Sequence, residues 1–398
     1  MRYFLILVMV ALVPVINAGA ATFQEDVDFL SKYVEVVVLK SEDGMAQVAV
    51  VPAYQGRVMT STASGPDGPS FGWINRELIA SGTLEKHINA FGGEDRFWMG
   101  PEGGQFAIFF EEEAPFDLEH WQTPACIDTE PYSLVSKTDT EAVFTYTAAV
   151  KNRSGATFMV RINRTIRLNG TTPFGDEDSE TMKAVDFVSE NVITNTGAEA
   201  WEKDSGLLSI WILGMFSPSP DTTVVIPFLA GDEAELGPKV NDAYFGKVPE
   251  DKLVVKDNVL FFSGDGTCRS KIGIGPKRAS EFLGSYTPTQ KALTLVQYNK
   301  PENVNDYVNS MWEEQEEPFG GDVVNSYNDG PPEPGKKPLG PFYELETSSP
   351  AAALLPGESV THTHRTVHVI AEPENLEKIA TQYFGVGLEE ISGALSKP

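Results

Sequence analysis

Apolar and polar residues alternate along most of the chain, which is the pattern of β-strands with one buried face. In the clearest run, 157–168, every second residue is apolar except Arg164. The other runs that fit strands are separated by Gly, Pro, Asn and Asp clusters; they are 34–39, 46–51, 106–110, 142–150, 185–194, 207–216, 224–228, 259–262, 292–298, 342–347 and 360–370. This spacing predicts an all-β, mainly antiparallel fold, a large β-sandwich with a few short helices.

Helical periodicity is confined to three short segments, 25–33, 304–314 and 373–384. Pro373 is suited to open the last of these helices, and Gly385 is suited to close it. The segment 313–341 is rich in Gly, Pro, Asn, Asp and acidic residues without apolar period, which favours a loop. Too little sequence follows for a second domain, so we expect one domain over 21–398 that carries a long loop at 313–341.

The first twenty residues have the three parts of a secretory signal peptide. Arg2 is followed by an apolar run over 3–13 and by the small residues Ala18, Gly19 and Ala20. The run is shorter than a membrane span, and no later stretch is long and apolar enough to be one. We expect a signal peptide at 1–20, a mature chain without a membrane span, and a periplasmic or extracellular location.

The net charge of the chain bears on which kinds of molecule it can bind. The chain has 30 Lys and Arg against 57 Asp and Glu, a net charge of −27, which argues against nucleic acid as a partner. Cys126 and Cys268 are the only cysteines, and in an exported chain they could form a disulfide. Their distance along the chain leaves that pairing open.

A candidate sugar pocket lies in the segment 89–122, which combines glycines with aromatic and charged residues. Tryptophan offers a flat face for a sugar ring, and Arg, Glu and Gln can hydrogen bond to its hydroxyls. The candidate substrate-binding residues here are Arg96, Trp98, Glu102, Gln105 and Trp121. The alternative is a turn-rich rim in which the aromatic residues belong to the core.

Two other segments carry candidate ligands. In 318–335, the polar side chains of Asp322, Asn325 and Asn328 could contact substrate or hold calcium, although Asx residues are also ordinary turn formers. In 361–369, His362 and His364 would share a strand face at a feasible spacing for a metal, but a polar, solvated face is the favoured interpretation. We therefore predict no metal site, with calcium as an open option.

Acid–base chemistry on a sugar needs a proton donor and a proton acceptor on opposite sides of the reacting group. Glu344 and Glu346 would share one face of a strand in FYELET, and His120 lies in the tryptophan-rich segment. Their separation along the chain does not show whether they meet. Both glutamates could instead face solvent.

Three stretches resemble the galactose mutarotase-like superfamily, which includes the aldose epimerases. VAVVPAYQGRVMTSTASG at 48–65 looks like the opening strands, and VDFVSENVITNTGAEAW at 185–201 looks like a central strand and turn. FYELETSSPAAALLPGESVTHTHRTVHV at 342–369 looks like the closing hairpin. The resemblance implies a β-supersandwich and a carbohydrate ligand for most of the mature chain.

The resemblance also implies roles for particular residues. In mutarotases a glutamate in a Leu-Glu-Thr context removes the anomeric proton, so Glu346 is the candidate base. The mid-chain histidine that would protonate the ring oxygen is missing, and His120 is the candidate replacement. The sequence therefore predicts an exported, epimerase-like or glycoside-processing protein, with a non-catalytic carbohydrate-binding protein of the same fold as the alternative.

Overall fold

The computed structural model describes residues 21–395 except 171–173, 175–181 and 334, so the predicted signal peptide at 1–20 lies outside the described residues. Within the described part, the helices are α1 (Phe23–Leu30), α2 (Arg76–Ser81), α3 (Ala125–Asp128), α4 (Glu233–Leu236), α5 (Pro373–Phe384) and α6 (Leu388–Gly393). The strands there are β1 (Val37–Lys40), β2 (Gln47–Val51), β3 (Arg57–Thr62), β4 (Arg96–Gly100), β5 (Ser133–Lys137), β6 (Glu141–Lys151), β7 (Thr157–Leu168), β8 (Lys183–Asn195), β9 (Ser209–Phe216), β10 (Thr223–Pro227), β11 (Leu253–Val255), β12 (Val259–Ser263), β13 (Ser270–Ile274), β14 (Phe282–Thr287), β15 (Ala292–Tyr298), β16 (Val324–Asn328), β17 (Tyr343–Ser348) and β18 (Ser359–Ile370).

The strands form three antiparallel sheets, as the alternating sequence pattern predicts. The largest has ten strands in the order β11-β12-β10-β14-β15-β18-β8-β7-β6-β5, the second has five in the order β13-β16-β17-β9-β4, and the third contains β1, β2 and β3. The five-stranded sheet packs one face against the large sheet, where Thr347 of β17 lies between His362 and His364 of β18. Its other face is therefore free to form a binding surface.

The apolar face of β7 is buried in this sandwich, and Arg164, which interrupts that face, is buried with it. The Arg164 guanidinium pairs with the buried carboxylate of Asp95 and donates hydrogen bonds to Gly56 O and Asn191 Oδ1. A buried charge requires such partners. The interruption in the pattern thus marks a buried ion pair and leaves the strand intact.

The histidine-bearing face of β18 is buried, so the predicted solvated face is wrong. His362, His364 and His368 are each at most 1% exposed. The ring nitrogens of His362 and His364 both lie 2.8 Å from Thr347 Oγ1, and His368 Nε2 lies 2.9 Å from Glu94 Oε2. Hydrogen bonding across the interior allows polar side chains to occupy a face that sequence alone assigns to solvent.

Helix α5 begins at Pro373 and ends before Gly385, as predicted, and Gly385 adopts a φ of 73° that suits glycine. Together α5 and α6 cover the outer face of the ten-stranded sheet, where Leu376, Ile379 and Ile391 join an apolar cluster. Among the described residues, none of the helices is long and apolar enough to span a membrane.

Three local predictions are wrong. The segment 304–314 contains no helix, because its backbone is committed elsewhere: the N–H groups of Tyr307 and Asn309 donate to Phe319 O and Pro318 O. The segment 106–110 is buried turn rather than strand. The predicted loop at 313–341 contains a strand, Val324–Asn328, which is held between β13 and β17. At 304–314 and 324–328, pairing with other segments overrides the local pattern.

Candidate functional site

The free face of the five-stranded sheet forms the floor of a cleft of about 550 Å³. Strand register aligns the side chains of this face in rows. Lys271, Tyr327, Glu344 and Met215 lie in one row across β13, β16, β17 and β9. The next row contains Glu346 and continues through Leu213 to Arg96. The register thus brings together charges that are up to 250 residues apart in sequence.

Aromatic side chains form most of the cleft wall. They come from β4, β9, β16 and several loops, and they are Trp98, Trp121, Trp211, Phe245, Trp312, Tyr327 and Phe342. Trp121 stacks on Trp312 with ring centroids 5.8 Å apart, and Trp98 meets Trp211 edge to face at 5.6 Å. Flat apolar faces beside a few polar groups suit the CH-rich faces and hydroxyls of a sugar.

Arg96 and Glu344 form a close hydrogen-bonded pair in this cleft. Arg96 Nη2 donates to Glu344 Oε1 at 2.8 Å, and the guanidinium lies 4.3 Å from the Trp98 ring centroid. Burial raises the pKa of Glu344 to about 8; Arg96 opposes the shift, and the neighbouring Glu346 adds to it. A carboxyl group with this pKa can hold a proton at neutral pH, which an ordinary glutamate cannot.

Glu346 occupies a different environment, although it is only two residues away on the same strand. It is fully buried, and its Oε2 accepts hydrogen bonds of 2.9 Å from both Lys271 Nζ and Trp211 Nε1. Lys271 and Trp211 line the cleft themselves. They therefore separate Glu346 from a ligand in the cleft. Of the two glutamates on β17, Glu344 is the one that lines the cleft.

Four predicted residues line the cleft: Arg96, Trp98, Glu102 and Trp121. The interpretation of the segment 89–122 as part of a pocket therefore agrees with the geometry for these residues. Its glycines, however, serve the protein's own packing. A Cβ on Gly103 would lie 2.2 Å from Met311 O, and Gly104 has a φ of 81° against Gln315.

Gln105, also predicted to contact substrate, is committed to this packing. Its amide forms two hydrogen bonds with the backbone of Gln315, from Nε2 to the carbonyl oxygen at 3.0 Å and from the backbone N–H to Oε1 at 3.1 Å. It does not line the cleft. The residue that the sequence assigned to sugar hydroxyls instead joins two loops of the cleft wall.

His120 does not approach Glu346. It is 42% exposed, pairs with Asp117 at 2.6 Å and borders a separate surface depression. The question left open by the sequence, whether these two residues meet at one cleft, is thus answered by their positions: His120 does not line the large cleft. The periodicity of an irregular loop does not reveal which way a side chain points, which explains the difference.

The polar residues of the segment 318–335 are mainly structural. Asp322 Oδ2 accepts hydrogen bonds from Asn241 and Tyr244, and Asn325 donates to Ile272 O, beside a small polar pocket. Asn328 lies elsewhere and ties the 265–268 turn to β16. None of the three lines the large cleft.

The described residues contain no set of side chains arranged as ligands for a metal ion. Among residues 21–395, where described, no group of three or more His, Cys, Asp or Glu side chains is placed to hold a metal ion. Cys126 and Cys268 are both free thiols, so the disulfide left open by the sequence is not formed. Calcium binding stays a prediction.

His87 is the histidine that sequence reasoning missed. It lines the same cleft as Glu344, and its Nδ1 lies 2.6 Å from Trp121 O. Because a carbonyl only accepts, Nδ1 carries the proton and Nε2 is the nitrogen able to accept or donate one. Nothing in LEKHIN marks this residue except the histidine itself. Lys271 and Arg269 were missed in the same way.

Comparison with known proteins agrees with this architecture. A family described as "Family of unknown function (DUF6786)" matches residues 21–395. None of the curated proteins matches the chain. Among solved structures, the chain is similar at 13% identity to a protein of Escherichia coli K12 provisionally named an aldose 1-epimerase, with a TM-score of 0.51 over 85% of this chain and 99% of that one. It is also similar to the Slr1438 protein of Synechocystis sp. PCC 6803, at 13% identity and a TM-score of 0.50, over 85% and 96% of the two chains.

A galactose mutarotase-like protein from Lactobacillus casei ATCC 334 has a TM-score of 0.48 at 10% identity, over 84% of this chain and 100% of that one. The E. coli and Synechocystis structures, with TM-scores of 0.51 and 0.50, show that the chain shares their fold, a mainly antiparallel β-sandwich, as the sequence resemblance implies. At this level of identity the likeness concerns the fold alone.

Proposed function

The chain belongs to the family described as "Family of unknown function (DUF6786)". From this membership and from the geometry of the cleft, we propose that it is an exported protein that binds a carbohydrate and catalyses proton transfer at the anomeric centre of the sugar. The observation that carries the proposal is the presence of Glu344 and His87 in one aromatic-walled cleft. The fold, shared with a protein named as an aldose 1-epimerase, supports the same class of ligand.

The two residues offer complementary proton-transfer groups to a ligand. Burial raises the pKa of Glu344 to about 8, so this carboxyl group can donate a proton to the ring oxygen. His87 Nε2 is free to accept the proton of the anomeric hydroxyl, because Nδ1 is bound to Trp121 O. The C1–ring oxygen bond then breaks, an open-chain aldehyde forms, and closure on either face returns both protons.

The first test is binding, followed by turnover. A thermal-shift screen of residues 21–398 against mono- and oligosaccharides should show a stabilising sugar, since a ligand of the folded state raises the melting temperature. NMR exchange spectroscopy on that sugar should then show faster anomer interconversion. Glu344→Gln and His87→Gln should each lower the rate by about 10²-fold or more while the sugar still binds. His120→Gln is the matched control and should leave the rate unchanged.

A second function is favoured by the burial of Glu346. The glutamate that the family resemblance assigns as base is covered by Lys271 and Trp211, which is compatible with a non-catalytic carbohydrate-binding protein. A sugar that binds tightly while the wild-type protein leaves its anomerisation rate at the buffer value would establish this alternative and refute the catalytic proposal. Absence of binding across the panel would refute both.

Export is part of the proposal and has its own test. The N-terminal pattern over 1–20 supports it. Expression of the full chain in a Gram-negative host, with mass spectrometry of the periplasmic and culture fractions, should find a protein that begins near Ala21. Retention of the intact chain in the cytoplasm would refute export without bearing on the sugar site.

A further inference from the structure

The guanidinium of Arg96 has more hydrogen-bond donors than the protein uses. Its side chain is 3% exposed and lines the cleft, and Nη2 binds Glu344. Nε and Nη1 are buried without a hydrogen-bond partner. A buried donor left unpaired costs about 1–3 kcal/mol, and more when the group is charged. Arg96 therefore keeps donor capacity that no described protein group uses, on a side chain that lines the cleft.

A second arginine in the cleft, Arg269, has no carboxylate at ion-pair distance among the described residues. Arg269, in the turn before β13, lines the cleft and lies 3.8 Å from the centroid of the Phe245 ring. It forms no ion pair with any residue that the structure describes. Contact with the Phe245 ring holds the guanidinium in the cleft, and an arginine without an ion-pair partner can bind a carboxylate or sulfate in bidentate fashion.

The acidic residues near these two arginines have partners of their own. Glu344 is bound to Arg96. Asp329 interacts electrostatically with Arg269, but its two carboxylate oxygens accept from Tyr327 OH and Gly340 N at 2.9 and 2.8 Å, and burial raises its pKa. Burial also raises the pKa of Glu102. Arg269 is thus a cleft cation that no ion pair with the described residues neutralises, in a protein whose net charge is −27.

We propose that the cleft selects an anionic carbohydrate, with the carboxylate or sulfate of the sugar bound by Arg269 and the unpaired donors of Arg96. This inference rests on the proposed carbohydrate binding and names its substrate class. In a protein this acidic, retaining such cations in one cleft favours a negatively charged ligand over a neutral one.

The test compares each acidic sugar with its own neutral form. Isothermal titration calorimetry would use oligogalacturonate, oligomannuronate and oligoglucuronate beside their methyl esters, and sulfated beside unsulfated galacto-oligosaccharides. At least one acid should bind about tenfold or more tightly than its neutral form, and its affinity should fall as salt is raised. The uronate and sulfate arms separate the two sources of negative charge.

Arg269→Gln should remove most of that preference, since this substitution leaves the sheet and the Arg96–Glu344 pair in place. Arg161→Gln is the matched control, because Arg161 is exposed on β7 and its loss changes the net charge equally. Neutral sugars that bind as well as the acids would overturn this inference while leaving the proposed function standing. An acid preference unchanged in Arg269→Gln would also overturn it, and failure of every sugar to bind would count against the proposed function itself.

Discussion

The pairing of Lys271 with Glu346 makes a quantitative prediction about the cleft floor. Lys271 Nζ lies 2.9 Å from Glu346 Oε2, and their side chains are 9% and 0% exposed. Removing one partner of a buried pair leaves an uncompensated charge and costs about 3–5 kcal/mol. Lys271→Met should therefore lower the free energy of unfolding by this amount, although the Trp211 hydrogen bond to the same oxygen remains.

The double variant Lys271→Met/Glu346→Gln distinguishes the contribution of the ion pair to stability from the contribution of side-chain packing. Because no buried charge is left behind, it should be more stable than the sum of the single variants predicts, by about 2 kcal/mol or more. The measurement is urea unfolding at pH 7, followed by tryptophan fluorescence. Lys291→Met is the control, since the Lys291–Glu372 pair is 49% and 67% exposed and should contribute only about 0–1 kcal/mol. A Lys271→Met variant as stable as the control, or strictly additive effects, would refute this reasoning.

Three further outcomes are expected. The folded-state pKa of Glu344 lies at about 8, above the ordinary 4.5, so its contribution to stability is complete below pH 4.5 and is lost as pH rises towards 8. In urea unfolding across this range, the free energy of unfolding should therefore decline less for Glu344→Gln than for the wild type. Any anomerase activity should fall above pH 8, where Glu344 loses its proton. Dithiothreitol should leave the melting temperature unchanged and alkylation should detect two thiols, because Cys126 and Cys268 are free; one disulfide by intact mass would contradict this. Arg164→Met should lower the free energy of unfolding by about 3–5 kcal/mol, measured by urea unfolding, because it leaves the buried Asp95 carboxylate without its cation. A decrease below about 1 kcal/mol would show that the pair is dispensable.

Strand alternation predicted much of the sandwich because a half-buried strand leaves its period in the sequence. The predicted runs 157–168 and 292–298 coincide with β7 and β15, and the predicted helix 373–384 coincides with α5. Strands buried on both faces or made of polar residues were missed. Strand β16, VNSYN, is an example, because its Asn and Ser side chains are buried by neighbours that local pattern does not reveal.

The candidate site was found only in part. Arg96, Trp98, Glu102 and Trp121 come from one segment whose composition indicated a sugar pocket, and all four line the cleft. His120 comes from the same segment but points to another surface depression. Composition can identify a segment that contributes to a pocket, whereas the direction of each side chain in a loop depends on contacts with distant residues.

By itself, the sequence determined the fold class and the extent of the strands with one buried face, such as β7, because periodicity and turn residues are local properties. Only the tertiary structure decided that Glu344, rather than Glu346, faces the cleft and that His87 lies in the same cleft. The two glutamates share a strand and a face, so no local rule separates them. Their difference arises from Lys271 and Trp211, which strand register brings over Glu346 from distant parts of the chain.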